Sequence, residues 1–132
     1  MKPPRGLIRV AWGAYALLLF GATHWPQVQI PGQEYRADVV IHMAAFGLWS
    51  ALFIACGWFG PALSWRNISH AGVIAPIYAG LDELSQGVPG IGRVVDALDA
   101  VGNLTGAVLA TLVALIAARV RGAEPPDAPM NQ

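Results

Sequence analysis

Seven residues have the types and spacing that chemistry at a site requires: Asp38, His42, Glu83, Gln86, Arg93, Asp99 and Asn103. Asp38 and His42 stand one helical turn apart, as do Glu83 and Gln86, and Asp99 and Asn103, so each pair shares a helix face. Glu83, Asp99 and His42 are candidates for general acid or base work. Arg93 could hold a phosphate or carboxylate, and it is the cation placed to balance Glu83 and Asp99. Gln86 and Asn103 can each donate and accept. Two carboxylates and a histidine could also take a divalent ion. The chain has no compact ligand motif such as His-Glu-x-x-His, however, so neither a metal ligand set nor a cofactor is assigned.

Each residue also has a plainer reading. Asp96 and Asp99 could be acids in the first turn of a helix, where the macrodipole favours them. Arg93 could be an interfacial anchor, and His42 a satisfied structural histidine. His24 beside Trp25 reads as an interfacial pair, and His70, alone at the far end, as a helix-start residue. The single cysteine, Cys56, lies in an apolar run and reads as packing, which removes internal disulfides and redox chemistry.

The elements that position these residues follow from composition. The chain is 55% hydrophobic and 12% charged, against roughly 45–50% and 25% for an ordinary soluble domain. Its basic and acidic residues balance, so no basic field exists to hold nucleic acid. Charged residues are absent between Arg9 and Glu34, Asp38 and Arg66, Arg66 and Asp82, and Asp99 and Arg119. Those gaps approach or exceed the roughly 20 residues that cross a bilayer as a helix. The expected fold is all-α: an integral membrane protein with four antiparallel transmembrane helices in one bundle. The spans are Leu7–Trp25, Val39–Phe59, Ile68–Val88 and Leu98–Val120, forming one domain over 1–122 with a disordered tail over 123–132. The third is the least apolar, because it must take in Asp82 and Glu83. Alternatives are a soluble helical bundle, and a signal peptide in place of the first span. The latter is disfavoured by the poor cleavage pattern around Gly21-Ala22-Thr23.

Basic residues set the orientation. Lys2, Arg5, Arg9, Arg66, Arg119 and Arg121 fall on one side and Arg36 and Arg93 on the other, so both termini should be cytoplasmic. His24, Asp38, His42, Asp82, Glu83, Gln86, Arg93, Asp96, Asp99 and Asn103 then all lie toward the outer face. Polar groups at depth face the bundle interior or a wet cavity. The expectation is a polar pocket opening to the outer leaflet, built from the second, third and fourth helices. Pro76 should kink the third helix and free the carbonyl of Gly72. Gly102-Asn103-Leu104-Thr105-Gly106 is a small-xxx-small pattern suited to an intramolecular helix contact. Asn67-Ile68-Ser69 matches a glycosylation acceptor but falls on the cytoplasmic side, where it reads as chance or helix capping.

Glu83-Leu84-Ser85-Gln86, Gly92-Arg93, Asp99, Asn103 and Gly106, preceded by Asp38 and His42-Met43-Ala44-Ala45-Phe46-Gly47, together resemble the VanZ-like family over most of the chain. Gly90 and Ile91 make the loop before the Gly-Arg pair slightly longer than in many members. The resemblance implies that Glu83, Gln86, Arg93, Asp99 and Asn103 hold the signature positions, with Asp38 and His42 beside them. It further implies a bacterial cytoplasmic-membrane protein of the cell envelope linked to teicoplanin resistance. Expected partners are the bilayer and a lipid head group, cell-wall precursor or glycopeptide. Other expectations are a membrane enzyme acting on the same substrates through Glu83, Asp99 or His42, and a structural protein whose polar cluster only locks the bundle.

Overall fold

The computed structural model describes residues 4–25 and 36–123, with the side chains of residues 36 and 37 left aside. The first loop, with Pro26, Pro31 and Gly32, and the expected tail from Glu124 onward lie outside the described residues. Four helices make up the fold: α1 (Arg5–His24), α2 (Arg36–Cys56), α3 (Trp65–Gln86) and α4 (Ala97–Val120). The C-terminal ends of α1 and α3 meet the N-terminal ends of α2 and α4, so neighbours run antiparallel.

Local chemistry fixes the ends. α2 stops at Cys56, short of the expected Phe59, because Gly57 takes a positive φ of 60° and donates to the Ile54 carbonyl. A Cβ at Gly57 would stand 2.7 Å from the Gly60 carbonyl oxygen, so the turn needs glycine. α3 begins earlier than expected, at Trp65, because Ser64 caps it by accepting from the Asn67 N–H. Asp96 is the N-cap of α4, its carboxylate accepting from the Leu98 N–H at 2.7 Å. Pro76 lies inside α3, which continues through it.

Helices α2 and α4 form the central pair, with α3 against α4 and α1 along the side of α2. Glycine makes the central contact possible. A Cβ at Gly106 would collide with the Met43 carbonyl oxygen and stand 2.8 Å from the Gly47 nitrogen, so the two backbones touch there. Aromatic rings hold α1: Trp12 packs on Trp49 and Phe53, and the Tyr15 hydroxyl donates to the Ala45 carbonyl.

The bundle is apolar on its outside, and its interior holds Phe46, Trp49, Phe53 and Ile68 beside small and polar residues. Inside lie Ala71, Ala75, Ala79, Ala107, Ala114 and Ala118 together with Asn67, Glu83, Gln86 and Asn103, while Leu17, Val101, Val113 and Ile116 point outward. Such apolar surface would be a liability in water and is the norm against lipid. Arg5–His24, Asp38–Cys56 and Ala97–Val120 are each long and apolar enough to cross a membrane. The helix α3 is not, because its inner face carries Asn67, Asp82, Glu83 and Gln86. The molecule is thus a helical bundle built for a bilayer and multi-pass in form.

Candidate functional site

The polar site lies where α2 and α4 begin and α3 ends. Glu83 is its centre and is almost fully buried. Its Oε1 accepts from the Asp96 backbone N–H at 2.8 Å, at the N-terminus of α4, where the helix dipole favours a negative charge. Its Oε2 accepts from Gln86 Nε2 at 3.2 Å and from Asn103 Nδ2 at 3.4 Å. A buried carboxylate holding three donors from two helices locks α3 to α4.

That carboxylate also orients the two amides. Both amides turn their NH2 groups toward it and their oxygens away. The Gln86 oxygen then receives Arg93 Nε–H at 3.2 Å, and the Asn103 oxygen receives His42 Nδ1–H at 2.9 Å. With Nδ1 held by Asn103, His42 turns Nε2 the other way. That nitrogen faces Asp99 Oδ2 at 3.5 Å and Asp38 Oδ1 at 3.8 Å. His42 and Asp99 are buried, whereas the Asp38 side chain is 54% exposed and marks the rim.

All seven residues singled out in the sequence converge on this end of the bundle, but with different partners from those expected. Arg93 pairs with Gln86, and the ion pairs among the described residues are those of His42 with Asp38 and Asp99. The carboxylates beside His42 are Asp38 and Asp99; Glu83 is engaged elsewhere. Asp96, expected in the first turn, caps the helix and lends Glu83 its N–H.

Sequence reasoning missed a second polar cluster between α1 and α3. His24 Nε2 lies 2.8 Å from Ser85 Oγ, and Thr23 Oγ1 donates to Asp82 Oδ1 at 3.4 Å, within reach of the Tyr78 hydroxyl at 3.5 Å. The available signal was the coincidence of Thr23-His24 and Asp82, Ser85 at the same depth. At the opposite end, Asn67 donates to the Ile54 and Ala62 carbonyls and accepts from the Phe59 N–H, tying the α2–α3 loop. His70 there stacks on Phe59 and contacts the Arg66 carbonyl, as a helix-start residue. An alanine-rich groove of about 290 Å³ separates α2 and α4 nearby, lined by Ala51, Ile54, Ala110, Val113 and Ala114.

Comparison of the chain with protein-family models, with curated proteins and with solved structures gave no match. The resemblance to VanZ-like proteins therefore rests on the residues themselves.

Proposed function

We propose that this chain is a VanZ-like protein of the bacterial cytoplasmic membrane, with both termini cytoplasmic, whose polar end receives the anionic head group of an amphiphile at the outer leaflet. A lipid, a lipid-linked cell-wall precursor and a glycopeptide each present such a group. The supporting observation is the hydrogen-bonded chain that runs from His42 through Asn103, Glu83 and Gln86 to Arg93. It holds the half-buried guanidinium by Nε alone, leaving both terminal nitrogens without a partner among the described residues. A guanidinium fixed at one nitrogen and open at two is suited to a phosphate or carboxylate.

The test compares teicoplanin and vancomycin tolerance in a sensitive bacterium expressing wild type, Arg93→Gln or Asp99→Asn at matched membrane levels. The expected result is a several-fold rise in teicoplanin tolerance with wild type that Arg93→Gln abolishes. No rise with wild type removes the resistance role. Equal tolerance with wild type and Arg93→Gln removes the head-group site.

One observation favours the enzyme reading instead: the His42 ring lies 3.5 Å from the Asp99 carboxylate, and such a pair can take up and release a proton. Glu83 is less suited to that work, because both its oxygens are already held by donors. If the site is catalytic, Asp99→Asn should remove turnover while leaving ligand affinity and folding largely intact.

A further inference from the structure

The wiring of His42 has a chemical consequence. Glu83 holds Asn103, Asn103 holds His42 Nδ1, and Nε2 is left facing two carboxylate oxygens. Each of the three groups can give a lone pair to one ion, and a cation between them would serve all three. His42 is more than nine-tenths buried, and among the described residues its Nε2 faces these two carboxylates.

We propose that Asp38, His42 and Asp99 form a binding site for a divalent transition-metal ion, of which zinc is the natural probe, at the polar end of the bundle. One ligand atom from each residue lies within 4.8 Å of the others. The Nε2–oxygen separations of 3.5 and 3.8 Å are close to the roughly 3.3 Å edge that bond lengths of about 2.0–2.1 Å give in a tetrahedral site. The half-exposed Asp38 needs only a side-chain rotation to close the set. Asn103 supplies the outer support typical of metal histidines, holding the non-ligating nitrogen through its proton, and Glu83 in turn holds Asn103. The imidazole selects zinc, iron or nickel over magnesium and calcium. Three protein ligands leave a fourth position open toward the rim where Asp38 is exposed. The site stands independently of the head-group reading, because it is tested without any amphiphile other than detergent.

The experiment uses the full chain, purified in detergent without a polyhistidine tag, stripped with chelator and titrated with zinc by calorimetry. Dialysed samples are assayed for metal alongside. The expected result is about one zinc per chain, with affinity falling at least ~10-fold in Asp38→Asn and Asp99→Asn and also in Asn103→Leu, which removes the support and no ligand. His70→Gln should bind as wild type does, and millimolar magnesium should not compete. Asp38 is 54% exposed and lies 3.8 Å from His42 at the rim, so Asp38→Asn is expected to keep its melting temperature and decides the matter even if the buried variants misfold. Uptake far below one zinc per chain would overturn the proposal, as would unchanged affinity in folded Asp38→Asn.

Discussion

Glu83 shows how much one buried carboxylate can specify. Its two oxygens take three donors, and the two side-chain amides among them are thereby turned to meet His42 and the Nε of Arg93. Nitrogen-15 spectra of histidine-labelled, metal-free protein should therefore show His42 protonated at Nδ1. In Asn103→Leu that preference should weaken, because Nδ1 loses its acceptor. A ring bare at Nδ1 in wild type would refute the wiring. At this scale the sequence told which residues meet but not which atoms. Asp38 and His42, or Asp99 and Asn103, share a helix face by arithmetic alone. That Arg93 reaches Gln86 and not a carboxylate depends on the path of the Gly87–Val95 loop, which no periodicity encodes.

Among the elements, spans were legible because hydrocarbon tolerates few charges, and the spans placed within the charge-free runs match the helices to within a few residues. The ends depended on individual caps: Gly57 closed α2 early and Ser64 opened α3 early. The contact of α1 with α3 was not legible, since Thr23, His24 and Ser85 are single polar residues of the kind found at any interface. The small-residue pattern on α4 does pack within the molecule, where Gly106 meets Met43 and Gly47. Gly106→Val forces that seam apart. Overpacking of a tight core costs about 1–3 kcal/mol, and the loss should sit at the upper end because the clash is with backbone. Thermal denaturation in detergent should show a clear drop for Gly106→Val and almost none for Gly13→Val, where a Cβ meets nothing within 4 Å.

For the whole molecule, the apolar outer surface makes lipid the solvent that suits the fold. The proposed topology predicts that fusions of a cytoplasm-dependent fluorescent reporter to either terminus are bright, while a reporter that needs export is active only in the α1–α2 or α3–α4 loop. A bright fusion in the α3–α4 loop would reverse the orientation and put the polar end inside the cell. The helix α3 has one more consequence, which concerns how the protein is made. It is the helix that does not meet the apolarity of a free-standing span, and its Glu83 takes its donors chiefly from α4, which the ribosome has not yet delivered when α3 emerges. Carboxylates unsatisfied at depth oppose insertion. The expected consequence is that α3 and α4 enter the bilayer as a pair rather than one span at a time.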